Sequence, residues 1–418
     1  MCNLGNTCYM NAVLQVLVHQ PIFRDYFIHQ KHSIKCPFRK TISNRATTLQ
    51  LKISLDGLVE NVRMSPPLKK KKKSGGVVER WVDERDGNFL ARYACVWSRP
   101  WAPTLKTIFN DKEDTILDNA TLCTGCISCE FEIMTCDLFC GPNASQPVAL
   151  NHFLYSIWQH SSWLSGYMQQ DAHEFFSFLI NKLCSDDSKN AKTKCECIAH
   201  QIMGGMICSQ IQCKACGSLS ESFEPFFDLS LQIPPPEKEK VGESDSKDRP
   251  FSPRKRHVLS RGLSFNAPPM SLQTMLEKFL SPEVLSAAIL CESCKARHEG
   301  SSKRLRIVNL PPVICFHIKR FIPGTTTANA QKSDQIITFP LRGLDMSQYS
   351  EDQAQNTLLY DLCAVIQHTG SMHSGHYFCF ILHHENWYKC DDVFIRRVFE
   401  NEVETSQAYM LFYSKRTS

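Results

Sequence analysis

Three sets of residues in this 418-residue chain have types and spacings suited to chemistry. The first is Cys8. It stands between a turn-like segment, Asn3 to Thr7, and an apolar run over 9–20 in which Val13, Leu14, Leu17 and Val18 recur at helical spacing until Pro21. A helix N-terminus offers free backbone N–H groups and a partial positive charge. Both stabilise a thiolate, the nucleophilic form of cysteine, and the same N–H groups can hold an oxyanion. Taken alone, Cys8 reads more readily as a small buried apolar residue.

The second set is a base with a group to orient it. Ser374-Gly375-His376-Tyr377 opens an apolar run, and Trp387 to Asp392 ends the next one. A hairpin turn near residues 384 and 385 puts Phe378 opposite Asp391, with His376 about two positions away. One hairpin would then carry both an imidazole and its carboxylate, as a thiol peptidase requires. The plainer reading is a histidine in a turn beside a solvated strand end, Asp391-Asp392.

The third set is cysteine-rich. Cys213 with Cys216 and Cys291 with Cys294 are two CxxC pairs in turn-like segments, enough thiolate for one closed tetrahedral zinc. Their separation exceeds that of a simple zinc ribbon, and the Pro-, Ser- and Lys-rich stretch 234–269 between them accounts for the excess. His32, Cys36, Cys126 and Cys129 make a second candidate site, with Cys123 a competing ligand. Cys195, Cys197 and His200 make a third cluster. Free thiols and unrelated polar turn residues are the alternatives.

These residues must be held by a scaffold. Apolar residues recur at helical spacing from Asn151 to Cys184, with Gly166 as a break. Residues 222–233 alternate as a strand. After Ser281 short apolar runs dominate, among them 313–316, 362–366, 377–382, 387–390 and 409–413. Helices followed by an antiparallel sheet predict an α+β fold. Residues 37–122, with five lysines at 69–73, and 234–269 read as insertions. The lysine run reads as a solvated loop or a nuclear signal.

Composition narrows the setting. The 21 cysteines are an odd number, and the start carries neither the basic nor the apolar region of a secretory signal, so a reducing cytosolic or nuclear compartment is expected. No run of eighteen apolar residues predicts a membrane span. A net charge of +5 from 47 basic and 42 acidic residues does not call for sequence-specific nucleic-acid binding.

The ordered motifs resemble a known family. Asn3 to Asn11 (NLGNTCYMN) looks like the cysteine box of the ubiquitin-specific proteases, Gly166 to Phe175 (GYMQQDAHEF) like their second box, Leu310-Pro311-Pro312-Val313 to His317-Ile318-Lys319-Arg320-Phe321 like a further stretch, and Ser374 to Tyr377 with Trp387 to Asp392 like the histidine box. The resemblance spans Asn3 to Tyr413. It implies a single papain-like catalytic domain over 1–418, with a helical thumb, a β-sheet palm and zinc-bearing β fingers at about 195–233 and 285–310.

It also implies roles. Cys8 would be the nucleophile, His376 the base, Asp391 its orienter, Asn3 an oxyanion donor supported by Asp392, and Asp171 and Glu174 would hold the ubiquitin tail. The implied reaction is thiol-dependent hydrolysis after the C-terminal glycine of ubiquitin. The His32, Cys36, Cys126 and Cys129 arrangement is similar to the deubiquitinase of the SAGA coactivator. It points to a nuclear enzyme, or failing that a cytoplasmic one, acting on monoubiquitinated histones with SAGA-type partner subunits and structural zinc. Members of that subgroup usually carry an N-terminal zinc finger domain, whereas this sequence starts at the cysteine box, which suggests a truncated start. An inactive zinc-stabilised ubiquitin-binding scaffold is the competing function, and a metal-dependent regulator whose cysteines all serve zinc is a weaker one.

Overall fold

The computed structural model describes residues 1–29, 31–32, 36, 126–140, 147–166, 168–187, 195, 197–234, 270–322, 331–351, 358–371 and 374–416. The expected insertions at 37–122 and, apart from Pro234, at 234–269, the lysine run and Cys123 lie outside these residues. Among the described residues no helix is long and apolar enough to cross a membrane.

Helix α1 (Cys8–Val18) is the hub. All eleven of its residues are buried, Asn11 and Gln15 included, as befits a helix enclosed on every side. Pro21 does more than end it: it occupies the first turn of α2 (Pro21–Ile28), where its missing N–H would have had no helical partner anyway. The same layer holds α3 (Ile127–Cys140), α4 (Asn151–His160), α5 (Ala172–Asp187), which packs on α1, and the short α6 (Ile198–Met203). Gly166, at φ 103°, lies in the break between α4 and α5. Phe23, Phe27, Phe131, Phe153, Phe175 and Phe176 fill the core between these helices.

The strands are β1 (Gly205–Gln212), β2 (Leu219–Phe226), β3 (Leu229–Gln232), β4 (Ser302–Asn309), β5 (Val313–Lys319), β6 (Leu359–Gly370), β7 (Gly375–His383), β8 (Asn386–Asp391), β9 (Phe394–Val398) and β10 (Ala408–Lys415). The main sheet runs β9-β8-β7-β6-β10-β5-β3, antiparallel except between β5 and β3, and Leu344–Asp345 pairs with β6. One face of this sheet packs on the helices through Cys315, Ala364, Ile366, Cys379 and Phe412. The other face holds a second core of Ile314, Phe316, Val365, Phe380 and Leu411, closed by helix α7 (Leu272–Leu280). Because successive side chains point to opposite faces and both faces are covered, these strands appear in the sequence as unbroken apolar runs.

A smaller sheet, β2-β1-β4 with Glu283–Val284 on its edge, carries Cys213–Cys216 in the turn between β1 and β2, and a separate two-stranded ribbon, Ile289–Leu290 with Arg297–His298, carries Cys291–Cys294 in its turn. The α+β expectation holds. Two boundaries shift. The expected strand at 222–233 is two strands broken at Phe227-Asp228, of which β3 joins the main sheet. The expected finger segment from 195 begins only at Gly205, because Cys197, Ile198, Ile202 and Met203 pack into the helical core.

Candidate active site

The loop before α1 is tied by one side chain. Asn3 Oδ1 accepts the N–H groups of Gly5 and Thr7, both at 3.1 Å, with Gly5 at φ 99° and Asn6 at φ 55° inside the loop. That leaves Cys8 as the first residue of α1, over the helix N-terminus, as the sequence suggested. Asn3 Nδ2 donates to Asp392 Oδ2 at 2.9 Å, and Asn11 Nδ2 donates to Asp392 Oδ1 at 2.7 Å. Asp392, at φ 51° just beyond β8, therefore clamps the cysteine loop to the histidine hairpin. Asn11 is a member of this clamp that its motif alone did not single out.

Cys8 is only 4% exposed. Burial pushes its thiol pKa up, outweighing the backbone amides of Tyr377 and Tyr9 that pull it down. At neutral pH the thiol is thus protonated, and a nucleophile there needs a base.

The hairpin supplies one. His383 pairs with Asn386 across a two-residue turn, with His384 at φ 53°, and Cys379 pairs with Cys390. One step further, this register sets Phe378 opposite Asp391, the arrangement read from the sequence. His376 Nε2 lies 2.6 Å from Asp391 Oδ1, and Lys389 Nζ lies 3.2 Å from Asp391 Oδ2. Burial disfavours the charge of Asp391, but the hydrogen bonds from His376 and Lys389 outweigh it and hold the carboxyl below its ordinary range. With Nε2 engaged, Nδ1 of His376 is the nitrogen left for a thiol proton. Gly375 and Tyr377, on either side of His376, line one cavity of about 200 Å³ together with Cys8, Gln169 and Asp171. Among the described residues no hydrogen bond joins the Cys8 thiol to His376, the looseness usual in an unliganded catalytic site.

Asp171 and Glu174 part company. Asp171 Oδ1 accepts the N–H groups of His173 at 2.7 Å and Glu174 at 3.1 Å, capping α5. Its Oδ2 accepts the hydroxyls of Tyr377 at 3.3 Å and Tyr409 at 2.5 Å, so it faces the cavity beside Cys8. Glu174 is exposed and lines a separate open depression with Trp163 and Phe178.

Below Asp171 lies a polar cluster that carried no sequence signal, because its members come from three distant elements. His173 Nε2 meets Asp228 Oδ2 at 2.9 Å, the ring of His317 stacks on His173 at 3.7 Å, and Ser230 Oγ meets His317 Nδ1 at 2.9 Å. Burial, and then the neighbouring His173, depress His317 from 6.5 to about 3. His317 therefore folds neutral, while the unfolded chain takes up a proton below about 6.5. Stability from this residue is full above that pH and is lost as pH falls from 6.5 toward 3, by about 2 kcal/mol at pH 5. Half-buried His19 and buried His368, each held to about 4 chiefly by desolvation, add to the same acid loss. Urea unfolding of the parent and His317→Gln at pH 7 and pH 5 isolates the His317 share. The variant should lose less stability on acidification, and equal losses would refute this account.

Three Cys/His clusters have the donor sets of metal sites. His32, Cys36, Cys126 and Cys129 present four ligand atoms within 4.8 Å of one another, all on buried residues. His32 Nε2 lies 3.3 Å from Cys126 Sγ, and the hydrogen bond from Cys129 pulls the Cys126 thiol down while pushing that of Cys129 up. Cys213, Cys216, Cys291 and Cys294 converge in the same way at the tip of the small sheet. The third cluster gains a member: Cys184, at the end of α5, joins Cys195, Cys197 and His200, with His200 Nδ1 3.2 Å from both Cys184 and Cys197. Cys184 stands eleven residues before Cys195 in no recognisable spacing, so only the fold reveals it. Sets of four sulfur and imidazole donors fit tetrahedral, closed metal coordination.

A family model described as ubiquitin carboxyl-terminal hydrolase matches residues 1–413. Ubiquitin C-terminal hydrolase 22 of Arabidopsis thaliana is 28% identical over 449 residues, covering 99% of this chain and 63% of that protein. Ubiquitin carboxyl-terminal hydrolase 27 of Mus musculus is 30% identical over 441 residues, covering 99% of this chain and 78% of that protein. Among solved structures, the SAGA DUB module of Ubp8, Sgf11, Sus1 and Sgf73 bound to monoubiquitin matches all of this chain and 69% of its counterpart, with TM-score 0.63 and 25% identity. The chain thus spans less than two thirds of the first of these relatives and about three quarters of the second.

Proposed function

The chain belongs to the ubiquitin carboxyl-terminal hydrolase family, and from that premise we propose that it is a cysteine-type deubiquitinase cutting after the C-terminal glycine of ubiquitin. The observation that carries the reading is the 2.6 Å contact between His376 and Asp391 on a strand that borders the cavity of Cys8. In this mechanism Nδ1 of His376 takes the Cys8 proton, and Asp391 steadies the imidazolium. The thiolate attacks the glycine carbonyl carbon. The oxyanion is met by the N–H groups at the start of α1 and by the second Nδ2 hydrogen of Asn3, whose first hydrogen is held by Asp392. His376 then gives its proton to the departing amine, and water, deprotonated by the same imidazole, releases ubiquitin and frees Cys8. Asp171 shapes the wall along which the ubiquitin tail lies, and Glu174 meets the substrate further out.

The three Cys/His clusters suit structural zinc, which supplies cross-links rather than catalysis. Likeness to the SAGA DUB module is what favours partner subunits of the SAGA type, and we extend the proposal to a nuclear enzyme acting on monoubiquitinated histones. Ubiquitin bearing a C-terminal electrophile tests the enzymatic reading. One covalent adduct on Cys8 is expected, and none with Cys8→Ala. Tight ubiquitin binding with no adduct on the parent would instead favour a binding scaffold.

A further inference from the structure

The strand that delivers His376 is only half supported by its sheet. On one side, β7 pairs with β6 along its start, Gly375 opposite Gly370 and His376 opposite Thr369. On the other side, β8 pairs with β7 only from Cys379 to His383. Backbone groups of an antiparallel strand point alternately to its two neighbours. Ser371 N–H donates to Ser374 C=O at 2.8 Å, which makes 371 and 374 a bonded pair and aims the N–H and C=O of Gly375 away from β6. They point to the side where β8 has already ended.

One side chain takes the place of the missing strand. Gln169 Nε2 donates to Gly375 C=O at 3.0 Å, and Gln169 Oε1 accepts the Gly375 N–H at 3.0 Å. The primary amide thereby bonds to Gly375 as a paired strand would. Gly375 is also pressed from a third direction: a Cβ there would lie 2.0 Å from His368 Nε2 and 2.5 Å from Thr369 C=O. Its backbone is thus held in the sheet by β6, against the His368 ring, and at its open edge by Gln169. The next residue is His376.

We infer that Gln169 is a positioning residue: it completes the sheet at Gly375 and so fixes the backbone from which His376 reaches both Asp391 and the Cys8 thiol. This inference rests on the deubiquitinase reading for its kinetic consequence but not for its geometry. The two bonds are exposed and contribute little to global stability. Their effect is on the placement of the base, where a displacement of about 1 Å can cost about 100-fold in rate.

Gln169→Met keeps the length of the side chain and removes both bonds, whereas Gln169→Glu keeps an acceptor for the Gly375 N–H and loses the donor. Turnover of ubiquitin carrying a C-terminal fluorogenic amide, and exchange of the Gly375 amide proton, are measured on all three proteins. Gln169→Met should lower kcat about 10- to 100-fold with KM within about twofold, and should speed Gly375 exchange. Gln169→Glu should fall between it and the parent. A kcat for Gln169→Met within about twofold of the parent, or a loss confined to KM, overturns the inference. So does unchanged exchange at Gly375. Should the parent itself prove inactive, the deubiquitinase reading fails, and the exchange rates alone decide whether Gln169 holds the strand.

Discussion

Replacing His376 with alanine should lower kcat on a ubiquitin C-terminal amide by about 10⁴-fold or more while leaving the affinity for ubiquitin nearly unchanged. The size of the effect follows from the state of Cys8. Burial raises its pKa, so the nucleophile is not a preformed thiolate waiting at a helix end. Its proton must leave during the reaction, and His376 is the imidazole whose Nε2 is already anchored, 2.6 Å from Asp391 Oδ1. Removing the ring also removes the acid that protonates the departing amine. Asp391→Ala should cost less, about 10²- to 10⁴-fold, because it frees the ring to turn and leaves the imidazolium without its counter-charge but does not delete the base. Single-turnover rates and ubiquitin affinity by fluorescence anisotropy, measured on the same preparations, separate chemistry from binding. A His376→Ala enzyme within tenfold of the parent would assign the proton to another group.

The second large effect is on folding. Replacing Cys126 and Cys129 with serine should abolish cooperative unfolding of the helical layer and remove one zinc per chain from an expected three. The four ligands of that cluster are buried between the end of α2 and the start of α3, whose Phe27 and Phe131 rings lie 4.7 Å apart. Cys36 and Cys126 are separated by 90 residues of chain. Closing a segment of that length costs about 4 kcal/mol of chain entropy. Structural zinc supplies an apparent ~10–16 kcal/mol at neutral pH, comparable with the ~5–15 kcal/mol net stability of a whole domain. The sheet-tip cluster offers the contrast. Cys216 and Cys294 are exposed, and the small sheet joins the second core only at its opposite end, through Ile207, Phe226 and Ile307, so Cys213→Ser with Cys216→Ser should loosen the small sheet and leave the main melting transition in place. Elemental analysis with calorimetry reads both outcomes. A Cys126/Cys129 variant that melts like the parent would show the cluster to be incidental.

Short-range features were legible in the amino-acid sequence. Cys8 at a helix start, the turn at 384–385 and the two CxxC pairs each depend on residues within a few positions, where backbone sterics and hydrogen-bond spacing leave few choices. From those follow the α+β class, the hairpin pairing of His376 with Asp391, and the four-ligand set of Cys213, Cys216, Cys291 and Cys294. Some local readings still shifted at their ends. Pro21 opens a helix as well as closing one, and 222–233 splits at Phe227-Asp228, because its first half pairs with β1 in the small sheet and its second half with β5 in the main one.

The groups assembled from afar depended on the packing of the whole chain. Asn3 and Asn11 are both bound to Asp392 across more than 380 residues. Gln169 replaces a strand beside Gly375 across 206 residues, Cys184 completes a cluster with His200, and Asp171 caps its own helix while taking the hydroxyls of Tyr377 and Tyr409. None of these pairings has a periodicity or a spacing to announce it. Each exists because the all-round burial of α1 and the two covered faces of the main sheet leave one way to stack the layers. That stacking brings unsatisfied backbone and carboxylate groups within reach of side chains whose own neighbours in the sequence predict nothing about them.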